Sequence, residues 1–271
     1  MKFFFKSFIW ILLIGGILLG VSYIYLISPM RSPANDVLSS NSYYIAHATG
    51  EIDGNTYLNC KESLLQSLDK GYKYIEVDLG LTTDSELVCI HDWTHFHKMT
   101  TKDSTIKDNS ISKDEFRKRK ILDKYTPLTL ENVIHIRNNH PFIIVTDKIS
   151  DARILNHYFK KNRHQVMVEA FSLSDYAELK QAGYLPMMSL WKFDYPDIFW
   201  NFIYYPLKYH IKIEWICVHS SSNMKSLRML KRLFNCKVAM YKSNSPIFFS
   251  DHLGKEIDLI YTDNWNPKEL K

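Results

Sequence analysis

The sequence predicts an α/β chain, a (β/α)8 or TIM barrel preceded by one N-terminal transmembrane helix, and three observations carry that prediction. Eight short apolar runs alternate with amphipathic stretches from Tyr43 onward. Together they cover roughly 230 residues, close to the usual size of such a barrel. Ahead of them lies an uncharged stretch, Ser7 to Met30, long enough to cross a bilayer.

The N-terminal stretch is expected to be an uncleaved signal anchor spanning residues 1–30. It is longer than the apolar region of about 7–15 residues in a cleaved signal peptide, and no small-x-small site follows it. A cleaved signal is the alternative. Lys2 and Lys6 precede the apolar run, so the positive-inside bias predicts a single-pass membrane protein with everything after Arg31 on the extracytoplasmic side. Residues 31–42, rich in Ser, Pro and Asn, read as a linker, and 43–271 as the barrel domain.

The strand candidates, in order, are "YYIAH" (43–47), "KYIEVDL" (73–79), "FIIVTD" (142–147), "VMVEAF" (166–171), "LPMMSL" (185–190), "EWICVHS" (214–220), "KVAMY" (237–241) and "DLIYTD" (258–263). Helices are expected between them. "NCKESLLQSLDKG" opens on Asn59 three residues before Glu62, like a capping box, and stops at Gly71. "TLENVIHIRNN" has Thr129 as its N-cap, and "SDARILNHYFKKN", "SLSDYAELKQAG" and "NMKSLRMLKRLF" repeat apolar residues at helical spacing. The extra run "ELVCIHD" follows the second strand too closely for a parallel crossover, so it is expected to be a ribbon turning back over the barrel mouth.

Residues 191–212, "WKFDYPDIFWNFIYYPLKYHIK", break this rhythm with a run of aromatics. They read as a loop and helix packed on the barrel, a lid beside the mouth, or an aromatic surface dipping into the membrane interface. Pro196 and Pro206 argue against one continuous helix.

Composition narrows the function. Hydrophobic residues make up 46% of the chain, enough for a large core, and 34 Lys+Arg against 29 Asp+Glu leave a net charge of only +5. The longest basic run, "FRKRK" at 116–120, reads as a solvated helix face, and no nucleic-acid partner is expected. Cys60, Cys89, Cys217 and Cys236 lack metal-finger spacing and are expected to be buried free thiols, although an exported domain would permit a bridge.

Barrel chemistry sits where strands end at their C-terminal side, and there the chain gathers His47, Glu76, Asp78, His91, Asp147, Lys148 and Glu169. Residues i and i+2 of a strand face one way, so Glu76 and Asp78 point together and repel. A hard divalent cation, Ca²⁺ or Mg²⁺, relieves that repulsion. A histidine pair beside such a cation moves protons, and Lys148 neutralises phosphate. The set suits hydrolysis of a phosphodiester.

At these residues the chain resembles the glycerophosphodiester phosphodiesterase family. The matching text is "IAHATG", "KESLLQSLDKGYKYIEVDLGLTTDSELVCIHD", "TPLTLENV" and the closing "IDLIYTDNWNP", so the resemblance runs from about 43 to 267. It implies a barrel, a cation-dependent phosphoric diester hydrolase, His47 and His91 as acid and base, and Glu76 and Asp78 as metal ligands. It also implies attack by a neighbouring glycerol hydroxyl on phosphorus, through a cyclic phosphate that water opens. Two departures stand out. Ala48 replaces the family's Arg, a planar phosphate clamp. The family's Glu-x-Lys becomes "VTDK", with Thr146 in the Glu position. Asp147 is the expected third ligand, although one residue out of register with that pattern, and Glu169 is the alternative.

The expected function is therefore a membrane-anchored phosphodiesterase acting on a glycerophosphodiester that is lipid-derived or part of a surface polymer. The alternatives are a catalytically impaired barrel serving as a cell-surface binding or assembly protein, and a phosphoinositide-type phospholipase C. His95 and His97 in "HDWTHFHK" offer a His-x-His metal spacing against the commoner reading of a surface loop, while Asp263 and Trp265 either line the mouth or serve the closing strand.

Overall fold

The structure, a computed structural model, describes residues 2–30, 42–101, 109–191 and 193–264. Trp265 and almost all of the 31–42 linker lie outside the described residues. All eight predicted strands are present: β1 (Tyr44–Ala46), β2 (Tyr74–Leu81), β4 (Ile143–Asp147), β5 (Val166–Ala170), β6 (Leu185–Leu190), β7 (Trp215–His219), β8 (Lys237–Tyr241) and β9 (Leu259–Thr262). They pair in parallel in the order β1-β9-β8-β7-β6-β5-β4-β2, and β1 also pairs with β2, which closes the barrel. The remaining run forms β3 (Leu87–Cys89), antiparallel to the end of β2 through Leu79↔Cys89 and Leu81↔Leu87. It is the expected ribbon.

The helices are α1 (Lys2–Ile27), α2 (Lys61–Asp69), α3 (Trp93–Thr100), α4 (Lys113–Lys118), α5 (Leu130–Asn139), α6 (Ala152–Tyr158), α7 (Leu173–Gln181), α8 (Tyr195–Phe199), α9 (Tyr205–Tyr209), α10 (Met224–Phe234) and α11 (Pro246–His252). Thr129 caps α5 as expected, in a capping box with Asn132. The start of α2 differs. Cys60 is its N-cap, accepting from Ser63 N, because Asn59 sits at φ +47° with its side chain committed to Asp78. Residues 93–100, expected as a loop, form α3 under the Asp92 cap.

The "FRKRK" run is solvated only in part: Phe116 is fully buried, and Arg119 turns in to bond His97 and Glu115. Residues 195–209 form two short α-helices separated by a π turn, not one continuous α-helix, in line with the reading from the prolines. Pro196 falls in the first turn of α8, and Trp200–Tyr204 forms a π turn ahead of Pro206. That wider turn relieves the clash a proline ring makes with the carbonyl four residues back.

Strand alternation sorts the core into two layers. Ile45, Val145, Met167, Met187, Cys217, Ala239 and Leu259 fill the barrel interior. Their neighbours Tyr44, Ile144, Val168, Ile216, Val238 and Ile260 face the helices. Full burial of each such aliphatic side chain is worth roughly 1.5–3 kcal/mol. Below the ribbon, Ile52, Leu58, Val88, Ile90, Phe96 and Phe116 make a third cluster, which holds β3 over the mouth. The four cysteines are buried and free, as expected.

α1 packs its C-terminal end on α10, where Arg228 donates to the Ile27 carbonyl at 3.0 Å. From Leu12 onward, where its side chains are described, it exposes Leu12, Leu13, Ile17, Leu18, Leu19 and Ile24. Among the described residues, no helix is long and apolar enough to cross a membrane.

Candidate active site

The interior phase carries on past the apolar layer to the polar residues at the mouth. Two residues beyond Ile45, Val145, Met167, Met187, Ala239 and Leu259 stand His47, Asp147, Glu169, Ser189, Tyr241 and Tyr261, and all six line one cavity of about 350 Å³ with Glu76, Phe171 and Trp191. A larger cavity, about 510 Å³, opens at the opposite end around Lys73, Arg137 and Phe142. Its lining holds neither a carboxylate nor a histidine, and barrel chemistry belongs to the other face.

Glu76, Asp78 and Asp147 form the acidic centre, with one oxygen from each within 4.8 Å of the others. Asp147 is the third carboxylate, and the register objection to it dissolves. Asp78 pairs directly with Asp147 across β2 and β4, while Val145 places the interior phase on odd residues of β4. Thr146 faces the helix layer, fully buried, with its hydroxyl unpartnered. Lys148 adopts φ +71°, which breaks the alternation and lets its ammonium come 3.5 Å from Asp78 Oδ1. Two adjacent residues thus reach the same site. Glu169 is engaged elsewhere, accepting from Ser189 Oγ at 2.9 Å and Tyr261 OH at 2.7 Å.

Burial, then the charges of Asp78 and Asp147, push Glu76 well above the usual carboxylate range against a hydrogen bond from Ala48 N. Burial and the Asp78 charge raise Asp147 as well, and burial with the Asp147 charge lifts Glu169 to about 7. Three carboxylates this close and this buried are costly unless neutralised, and an all-oxygen set fits a hard divalent cation.

His47 closes β1 in a short 3₁₀ turn, His47–Thr49, in which Ala48 and Thr49 both have positive φ. The turn aims the Ala48 N–H at Glu76 and is pinned by Ser67 Oγ, which donates to the Thr49 carbonyl at 2.7 Å. Ala48 is fully buried, and its methyl group brings no positive charge to the carboxylates beside it. Gly50 follows at φ +90°, and a Cβ there collides with the Ser67 hydroxyl. Gly50→Ala is expected to cost about 2 kcal/mol or more. A urea midpoint equal to that of the parent would refute this.

Three partners were not legible as such in the sequence. Asp263 accepts a hydrogen bond from His47 Nδ1 at 2.8 Å and another from Asn244 Nδ2 at 2.9 Å. Burial opposes its charge, yet these bonds hold the Asp263 carboxyl below the usual range. An acceptor-only carboxylate makes Nδ1 the protonated nitrogen and leaves Nε2 free to accept. Asn59 donates to Asp78 Oδ2 at 2.9 Å and takes Asp78 N on its own carbonyl oxygen, fixing that carboxylate. Tyr57 stands edge-on between the histidines, 4.6 Å from His47 and 5.2 Å from His91 by ring centres.

His91 ends the ribbon, more exposed than His47, with Nδ1 bonded to Asp92 at 2.7 Å. His97 is structural: it is buried between the Asn109 carbonyl and Arg119. Being two residues from His95 on α3, it points away from it, so the His-x-His spacing makes no metal site.

The profile of the glycerophosphoryl diester phosphodiesterase family matches residues 54–195, more than half of the 271-residue chain. No curated protein matches in sequence. Solved structures share the fold. A glycerophosphoryl diester phosphodiesterase from Parabacteroides distasonis superposes with a TM-score of 0.63 at 14% identity, covering 89% of this chain and 91% of its own. A second, described as a putative glycerophosphoryl diester phosphodiesterase from Agrobacterium tumefaciens, gives 0.62 at 14% identity over 82% and 94%. A phosphodiesterase from Oleispira antarctica, solved with the product sn-glycerol-3-phosphate, gives 0.62 at 14% identity over 84% and 94%. On the strength of the profile match and the barrel that carries it, the chain belongs to the glycerophosphoryl diester phosphodiesterase family.

Proposed function

We propose that this phosphoric diester hydrolase cleaves a glycerophosphodiester by acid and base catalysis at His47 and His91, beside a divalent cation held by Glu76, Asp78 and Asp147. The observation that carries the reading is the three-carboxylate centre in the same mouth as a histidine whose tautomer is set by a carboxylate. Ca²⁺ or Mg²⁺ suits the all-oxygen set and, when bound, supplies charge to the non-bridging phosphate oxygens.

The chain's own residues do the rest. His47, held by Asp263, keeps Nε2 available to a proton on the reacting oxygen, and Asp263 stabilises the imidazolium that results. His91, held by Asp92, serves the other oxygen across Tyr57. The Lys148 ammonium, partly exposed beside Asp78, is placed to meet a phosphate oxygen and takes over part of the charge that the family's arginine carries. The substrate is of the kind whose product, sn-glycerol-3-phosphate, accompanies the Oleispira antarctica enzyme. It is either lipid-derived or part of a surface polymer.

We place the enzyme on the extracytoplasmic face of a membrane, anchored by α1. Support comes from the uncharged stretch Ser7 to Met30 behind Lys2 and Lys6. The test is release of glycerol phosphate from a panel of glycerophosphodiesters by the purified chain with Ca²⁺ or Mg²⁺. Chelation is expected to abolish release, and Lys148→Ala to lower it about tenfold or more, as expected for a charge-assisted phosphate contact of 1.5–3 kcal/mol. Full turnover in excess chelator sinks the reading.

A further inference from the structure

Helices on the outside of a barrel bury one stripe and show water a polar face. The segment of α8, the π turn and α9 does not. Ile198 and Phe202 face inward, and Phe202 packs on Phe234 of α10 with ring centres 5.5 Å apart. Outward stand Phe199, Trp200, Ile203, Tyr204 and Leu207, between 39% and 73% exposed. Their spacing makes one face, and their rings touch: Phe199 lies 5.1 Å from Trp200, and Trp200 lies 5.2 Å from Tyr204. A contiguous exposed patch of this kind marks an interface.

α10 shows what covers it. One part of α10 supports this segment through Phe234, while Arg228 and Arg232 hold the end of α1, the Arg232 guanidinium lying 4.6 Å over the Tyr25 ring. The apolar surface of α1 and the aromatic face therefore share one support. Tryptophan and tyrosine, with apolar bodies and polar tips, suit the depth of lipid headgroups. Lys208, its amine 5.7 Å from the Tyr204 ring, can lay its stem along the apolar face and keep its charge among those headgroups.

We infer that the outward face of residues 199–207 inserts into the lipid–water interface, so that the barrel rests on the bilayer at two places rather than swinging from α1 alone. The inference rests on the reading of α1 as a membrane anchor. It ties the catalytic mouth to the membrane as well, because α8 follows β6 within five residues and Trp191, between them, lines the site.

The test uses the full chain in vesicles of phosphatidylcholine and phosphatidylglycerol. Leu207→Cys, and separately Phe199→Cys, are labelled with an environment-sensitive fluorophore, and Lys118→Cys on α4, across the barrel, is the control. The four native cysteines are buried. Hydrolysis of a soluble diester at the parent rate certifies that each labelled protein is folded. Lipids carrying a spin label just below the headgroup are expected to quench the fluorophore at 207 and 199 several-fold more than at 118. Equal quenching at all three overturns the inference. Resistance of the chain to alkaline carbonate extraction reads the anchor separately. Retention with equal quenching removes the aromatic contact and leaves the anchor, whereas extraction with selective quenching removes the anchor and leaves the contact.

Discussion

His47→Ala is expected to lower kcat/KM for a glycerophosphodiester by about 10²–10⁴-fold, the usual range for loss of one positioned acid or base. That corresponds to roughly 3–5 kcal/mol of barrier. The imidazole is not a core element whose loss unfolds the chain. It projects into the cavity from a turn held by Ala48, Thr49 and Ser67, so the variant is expected to keep its melting behaviour. Asp263→Asn tests the partner. An amide donates as well as accepts, so it no longer dictates which ring nitrogen carries the proton, and an intermediate loss of about 10–10³-fold is expected. His91→Ala gives the second half of the argument. If the two histidines act as a unit, the double variant is scarcely worse than either single one. Activity of His47→Ala within threefold of the parent, or additive losses in the double variant, would remove the shared acid and base roles.

The barrel was legible because a parallel strand buried on both faces reads as a short continuous apolar run, and "FIIVTD" and "EWICVHS" are such runs. Thr129 was legible as a cap for the same reason that it caps: its hydroxyl accepts from Asn132 N. Where a residue serves the site first, local rules mislead. Asn59 looked like a cap, yet its backbone is left-handed and its amide belongs to Asp78. Glu76 and Asp78 followed from alternation alone, and Asp147 follows from it too once β4 is seen to pair it with Asp78, whereas Lys148 needed its φ of +71°, which no spacing reveals. The bond between His47 and Asp263 joins residues 216 positions apart, a distance over which pattern carries no signal until β9 is seen to pair with β1. Pro206 was legible as a break, since it falls in the first turn of α9 after the π turn.

Cation binding is expected to produce the largest change in stability. A ligand at one hundred times its Kd stabilises the native state by about 2.7 kcal/mol, and at roughly 2–4 °C per kcal/mol for a chain of this order the melting temperature rises by about 5–10 °C. Glu76→Gln is expected to abolish most of that rise together with activity, because it removes one ligand of three. In excess chelator the same variant is expected to melt no lower than the parent at pH 8, since it also removes a buried carboxyl whose ionisation burial and the charges of Asp78 and Asp147 oppose.

The pH dependence follows from the raised carboxyls. In the cation-free fold Glu76, Asp147 and Glu169 hold protons that the unfolded chain has already released, so stability falls as pH rises from the ordinary carboxylate range through about 7, where Glu169 titrates. Glu169 alone contributes on the order of 3–4 kcal/mol across that window. His95, lowered chiefly by burial, works in the opposite direction near its ordinary value. The difference between melting temperatures with cation and with chelator cancels that contribution. Bound cation needs the carboxylates ionised, so at low pH protons compete with it and at high pH they do not. The cation-induced rise is therefore expected to grow from pH 5.5 to pH 8 in the parent and to stay near zero in Glu76→Gln. A rise independent of pH, or one that survives the substitution, would place the cation somewhere other than among these three carboxylates.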